Sequence, residues 1–206
     1  MEREDRCGRN KKMPVTAALV LMNLLAFLVV EFTGFSDDVL HMLEFGAAYT
    51  PYIVDNGEIY RLVTCMFLHF GTRHLINNML LLLVLGSRLE SLMGKLAYLA
   101  VYFVGGVAGN LLSMLLELRS GEFAVSAGAS GAVFAVMGAM IYVLLRNRGR
   151  VKDLSVRQMV FMAALSLYFG FASSGVDNAA HVGGLLGGFL MAVLFYHPRK
   201  IRKEVP

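Results

Sequence analysis

The chain has 206 residues, of which 57% are apolar and only 17% charged. Soluble domains run near 45 to 50% apolar and about 25% charged, so this balance excludes an ordinary water-soluble globule and points to the membrane class. The formal net charge is +4, yet Lys and Arg fall mostly between apolar runs, a pattern of membrane orientation and not of a nucleic-acid surface.

Residues 1–12 are polar and mixed in charge, and read as a cytoplasmic tail. The first apolar run, Met13 to Phe32, is longer than the roughly 7 to 15 residues of a signal-peptide core and lacks a small-residue cleavage site, so it is expected to remain as an anchor. From Thr33 to about Arg61 the chain turns polar, and Tyr49-Thr50-Pro51-Tyr52 with its apolar neighbours fits a segment lying against the membrane surface. A semi-apolar approach, Leu62 to Phe70, leads into a second span from about His74 to Leu85, extending toward Leu92. Further spans are expected at Leu96 to Leu118, Ser126 to Leu145, Val156 to Ala172 and Ala179 to Tyr196, the fifth being the shortest. Each run is near the length a helix needs to cross about 30 Å of hydrocarbon. The expected division is a tail over 1–12, a six-helix domain over 13–197 and a basic tail over 198–206. Cys7 and Cys65 make neither a disulfide framework nor a metal spacing.

Basic residues orient the bundle. Arg146, Arg148, Arg150, Lys152 and Arg157 crowd the fourth connection, and Arg199, Lys200, Arg202 and Lys203 crowd the C-terminus. Arg88 and Lys95 lie in the second connection, and Arg3, Arg6, Arg9, Lys11 and Lys12 in the N-terminal tail. With six spans all these clusters fall on one side, which places both termini in the cytoplasm.

The second, fourth and sixth spans then run in the same direction, and each begins with a polar group. Ser130 is 16 positions before Arg146, His181 is 16 before His197, and His74 is 14 before Arg88. At about 1.5 Å per residue the three share a depth, below the outer surface. Asn78 lies four residues after His74, on the same helical face. His181, Gly184 and Gly188 share a face on which glycines permit close backbone approach, and Ser130, Phe134 and Gly138 share another. Close packing of the fourth and sixth spans brings a serine hydroxyl to a neutral imidazole, the arrangement nucleophilic catalysis requires. The Ser130 backbone N–H, the Asn78 amide and the His74 ring are candidate donors to an oxyanion. Taken alone, Gly128-Ala129-Ser130-Gly131 reads as small-residue packing; polar groups at membrane depth on three spans together read as a site. His69 reads as a loop or interface residue, Asn77 as a partner for another helix, and Asp177 as a solvated charge.

At these residues the chain resembles the rhomboid intramembrane serine proteases. The GxSG pattern of that family appears as Gly128-Ala129-Ser130-Gly131, its HxxxN as His74-Leu75-Ile76-Asn77-Asn78, and its AHxxGxxxG as Ala180-His181-Val182-Gly183-Gly184-Leu185-Leu186-Gly187-Gly188. The resemblance implies an all-α integral membrane protein, a six-transmembrane-helix rhomboid-like bundle of the minimal form. It implies Ser130 as nucleophile, His181 as general base, His74 and Asn78 as oxyanion donors, and a dyad without an acidic third member. The activity implied is endopeptidase cleavage of peptide bonds in or near transmembrane segments of membrane proteins, with no cofactor or metal and no nucleic acid. The lipid bilayer is the expected surroundings: a multi-pass protein of a prokaryotic cell membrane, with the active site toward the outer face. Tyr60-Arg61 is similar to a Trp-Arg pair of the family's first loop, and Phe134 stands where some members carry a Tyr that packs on the catalytic histidine. The resemblance also implies that the fifth span acts as a lateral gate.

Two other classes stand against this reading. A catalytically inactive rhomboid-like protein that binds or escorts membrane proteins would usually lack the serine or the histidine, and both are present. A small transporter would place its polar groups at the midplane and show an internal repeat. A zinc protease would need a His-Glu-x-x-His, and an aspartyl protease a pair of embedded aspartates; neither pattern occurs.

Overall fold

Pro14 opens α1 (Pro14–Thr33) at a position where its missing N–H costs no helical bond. In the computed structural model, which describes residues 13–173 and 175–198, this helix is the first of six apolar ones. The expected N-terminal tail, Cys7 and the cluster Arg199, Lys200, Arg202 and Lys203 lie outside the described residues. Short helices α2 (Val39–Glu44), α3 (Thr50–Asp55) and α4 (Arg61–Thr64), with a 3-10 turn at Cys65–Phe67, fill the long first connection. The second apolar helix is continuous over Gly71–Met93 and consists of α5 (Gly71–Leu81), a π segment (Leu82–Gly86) and α6 (Ser87–Met93). Then come α7 (Lys95–Ser120), α8 (Ser130–Arg146), a hairpin of β1 (Arg150–Val151) and β2 (Leu154–Ser155), α9 (Val156–Phe171) and α10 (Asn178–Phe195).

Four of the six, Pro14–Thr33, Gly71–Met93, Lys95–Ser120 and Asn178–Phe195, are long and apolar enough to cross a membrane; α8 and α9 are shorter apolar helices. The fourth expected span is therefore corrected at its start, from Ser126 to Ser130. Residues 126–129 cannot join the helix because their backbone is committed elsewhere. Ser126 exchanges N–H···O bonds with Ala48 at 2.8 and 2.9 Å, and the Gly128 N–H donates to the Cys65 carbonyl at 2.9 Å. Gly128 itself has φ of +150°, open to glycine and strained for any other residue.

Glycines decide how the bundle closes. Gly183 and Gly187 of α10 lie against Ala108, Gly109 and Gly105 of α7, while Gly184 and Gly188 lie against Gly131 and Ala135 of α8. A β-carbon on Gly184 would fall on the Gly131 carbonyl, and one on Gly188 on the Ala135 carbonyl. In lipid, where apolar burial drives little association, such backbone proximity supplies the packing. Helix α8 is the most enclosed element, with Ala135, Val136, Met137, Ala139 and Met140 fully buried. Helix α9 buries only Met159, Ala163 and Gly170 and exposes Phe161, Tyr168, Phe169 and Phe171.

Two charged side chains fasten the periphery. Glu90 of α6 is buried and accepts bonds from the Val15 and Thr16 N–H groups at 3.1 and 2.9 Å and from the Thr16 hydroxyl at 2.8 Å, so it caps α1 from a neighbouring helix. Arg61, also buried, donates to the Leu43 and Ala47 carbonyls at 2.8 and 2.9 Å and pairs with Glu58 at 2.7 Å. Its guanidinium lies over the rings of Tyr52 and Tyr60. The first connection is thus a folded unit wound around one arginine.

Candidate active site

Ser130 is the first residue of α8, where helical N–H groups have no intrahelical partner. His181 lies in the first turn of α10, whose N-terminus Asp177 caps by accepting from the Ala180 N–H at 2.8 Å. Because Gly184 lets α10 approach Gly131 of α8, the two first turns meet. The His181 Nε2 to Ser130 Oγ distance is 2.9 Å.

Phe134, one turn below Ser130, stacks on the His181 ring with centroids 4.3 Å apart and planes 13° from parallel. His181 as a whole is 8% exposed. Its Nδ1 is buried and has no hydrogen-bond partner among the described residues. Asp177 does not supply one. Its carboxylate is taken by the Ala180 N–H, by the Ser113 hydroxyl at 2.7 Å and by the Ser126 hydroxyl at 3.0 Å. Asp177 is therefore half-buried and ties α7, the 121–129 segment and α10 together, which corrects its reading as a solvated charge.

His74 and Asn78 of α5 line the same cavity as Ser130 and His181, an open space of about 1240 Å³ at the end of the bundle where α8 and α10 begin. A β-carbon on Gly128 would stand 2.7 Å from His74 Cε1 and 3.6 Å from Ser130 Oγ, so the glycine leaves the His74 ring room beside the serine. Asn78 Nδ2 donates to the His74 carbonyl at 3.0 Å, which holds the amide against its own helix and leaves its second proton uncommitted in that bond. Asn77 is exposed and borders the cavity, with no bond to another helix among the described residues.

His69 is the residue whose place the sequence did not reveal. It is 1% exposed, its Nε2 accepts from the Ala129 N–H at 3.3 Å, and its ring meets that of His74 edge-on at 5.1 Å. Burial, with a smaller effect of the nearby His74, holds its pKa down at about 3, so the ring is neutral with Nε2 as acceptor. Cys65, whose carbonyl holds Gly128, has its thiol pushed up to about 12 by burial and is no nucleophile. Among the described residues no three His, Cys, Asp or Glu side chains converge as metal ligands.

A mostly helical membrane bundle with a serine and an imidazole in contact at one end, facing an open cavity, defines the class. The rhomboid-domain profile matches residues 56–198, and the chain belongs to the rhomboid family. It is 34% identical over 191 residues to Rhomboid protease GluP of Bacillus subtilis (strain 168), covering 93% of this chain and 36% of that protein. RHOMBOID-like protein 5 of Arabidopsis thaliana is 39% identical over 150 residues, 71% of this chain and 48% of its own length. Rhomboid-like protease 3 of Toxoplasma gondii is 31% identical over 191 residues, 91% of this chain and 69% of its own length. The chain thus spans about a third to a half of the length of the first two relatives. Family and apolar helices together make it an integral membrane protein.

Proposed function

We propose that this protein is an intramembrane serine endopeptidase in which Ser130 and His181 form the catalytic dyad, acting on transmembrane protein substrates. The observation that carries the reading is the 2.9 Å contact between His181 Nε2 and Ser130 Oγ beside a cavity large enough for an unwound peptide segment. The names of the relatives from Bacillus and Toxoplasma, both called proteases, support it.

In the proposed reaction neutral His181 takes the Ser130 proton through Nε2 as Oγ attacks the scissile carbonyl carbon. The imidazolium then protonates the leaving amine, and the resulting ester is hydrolysed by a water that the same nitrogen deprotonates. Negative charge on the tetrahedral oxygen meets the Ser130 N–H at the start of α8, where the helix dipole favours it. His74 and the free Asn78 proton complete the donor set. No carboxylate reaches His181 Nδ1 among the described residues, so Phe134 stacking takes over the task of holding the ring.

The catalytic unit is the 13–197 segment. In the proposed orientation, which the basic clusters at the α8–α9 connection and at Arg88 and Lys95 support, that end of the bundle faces the cytoplasm and the cavity faces the outer side of a prokaryotic cell membrane.

The test is covalent labelling by a serine-directed fluorophosphonate together with cleavage of a generic transmembrane substrate in proteoliposomes. Ser130→Ala abolishes labelling, and Ser130→Ala and His181→Ala each lower turnover by at least about 10³-fold. Wild-type rates in either variant overturn the dyad.

A further inference from the structure

The connection between α8 and α9, with the helix ends that enter it, carries five cations, Arg146, Arg148, Arg150, Lys152 and Arg157, against one carboxylate, Asp153. This net of +4 matches the formal charge of the whole chain. It is concentrated on an ordered element, not on a loose loop. Arg150 pairs with Ser155 and Val151 with Leu154 across the hairpin. At its root the Gly149 N–H donates to the Leu144 carbonyl at 2.8 Å, and Asn147 Nδ2 donates to Tyr196 Oη of the α10 end at 2.7 Å. Arg88 of α6 grips Asp153 through two bonds of 3.1 and 2.9 Å, which neutralises the single acidic group. All five cations are exposed, and none forms an ion pair among the described residues.

Two of the five are held in a backbone conformation that disfavours them. Arg148 and Lys152 have φ of +59° and +54° and are the only non-glycine residues with positive φ among those described. Glycine or asparagine fits such positions with less strain. At both, the chain places a cation, so the hairpin gives up local stability for charge.

Depth identifies what the charge meets. Helices α8 and α9 have 17 and 16 residues, a rise of about 24 to 26 Å, less than the roughly 30 Å of hydrocarbon in a bilayer. Both helices enter this hairpin, which they therefore hold at headgroup level and not out in water. Long Arg and Lys stems reach phosphate from there, whereas a soluble acidic partner would have to displace lipid first.

We propose that the 146–157 hairpin is a binding site for the headgroup phosphates of anionic phospholipids. The site lies at the end of α8 opposite Ser130 and is independent of the protease reading.

Full-length protein in detergent, titrated with dioleoylphosphatidylglycerol or dioleoylphosphatidylcholine and read by native mass spectrometry, tests it. Wild type binds the anionic phosphatidylglycerol at least about fivefold more tightly than the zwitterionic phosphatidylcholine, the order expected for one cation at a lipid surface. The Arg148→Gly/Lys152→Gly variant brings the two lipids within about twofold while its melting temperature stays level or rises, because the strain is relieved. Arg148→Gln/Arg150→Gln/Lys152→Gln also loses the preference and serves if the glycine variant does not fold. Equal binding of both lipids by wild type, or an undiminished preference in a folded variant, overturns the proposal.

Discussion

The Phe134 ring covers the His181 imidazole face to face, with centroids 4.3 Å apart and 13° between the planes. Phe134 and Ser130 sit one turn apart on α8, so a single helix presents both the hydroxyl and the surface that fixes the plane of the ring reaching it. With Nδ1 unpartnered, stacking and the Nε2 contact with Ser130 Oγ are the restraints on the ring among the contacts named above. Phe134→Ala is expected to lower kcat by about 10² or more with a smaller change in KM, since misplacement by about 1 Å costs that much. Phe134→Tyr keeps the stack and retains a rate near wild type. Steady-state cleavage with both variants checks this, and a wild-type kcat in Phe134→Ala excludes a positioning role.

His69 acts one step further out. It holds the Ala129 N–H, immediately before Ser130, from inside the bundle. His69→Leu leaves that N–H buried without an acceptor and is expected to destabilise by about 1 to 3 kcal/mol and to slow fluorophosphonate labelling of Ser130. His69→Gln restores an acceptor oxygen and recovers most of the labelling rate. If both variants label alike, the bond is not what holds the loop.

Neutral burial of His69 also has a pH consequence. With a pKa near 3 in the fold against 6.5 ordinarily, the unfolded chain takes up a proton that the folded one refuses. The stability contributed by this residue is complete above about pH 6.5 and declines as pH falls toward 3. The melting temperature of wild type relative to His69→Gln should therefore drop between pH 7.5 and pH 4.5. A constant difference means that the ring protonates in place.

The Gly184–Gly131 approach sets the distance between the two candidate catalytic residues. Gly184→Val puts side-chain atoms on the Gly131 carbonyl and forces α10 away from α8. Loss of about 1 to 3 kcal/mol or more is expected, with labelling of Ser130 lost even in the fraction that remains helical. Helicity with unimpaired labelling would show that the helices can separate without parting Ser130 and His181.

Glu90 caps α1 with three bonds. Glu90→Ala strips them from buried donors and is expected to cost about 2 to 4 kcal/mol. Proteolysis of detergent-solubilised protein should then release α1 first, and cleavage that spares this helix excludes the capping role.

The lengths of the apolar runs located six helices, and five of their starts lie within about three residues of those expected, because the length needed to cross hydrocarbon constrains both ends. The fourth start was misplaced by four residues, at Ser126 instead of Ser130. Hydropathy cannot register that Ala48 and Cys65 claim the backbone of 126–129, since both partners lie at least 60 positions away in sequence. The same distance hid His69. A histidine before a span looks interfacial until the fold brings Ala129 to its Nε2.

What the sequence alone determined was type and order, apolar runs of bilayer length in sequence, together with an expectation that cations gather at one end and that Ser130, His181, His74 and Asn78 share a depth on alternate spans. Those properties follow from composition and helical rise, which are local. Tertiary structure decided the contacts: that Asp177 is bound by Ser113 and Ser126 and leaves His181 Nδ1 alone, that His69 supports the serine loop, and that Arg148 and Lys152 are strained to face outward. The first two depend on approach between distant segments, where a few ångströms decide whether two polar groups bond and no single segment carries that distance; the third is settled by the backbone of a tight hairpin, which side-chain identity alone does not reveal.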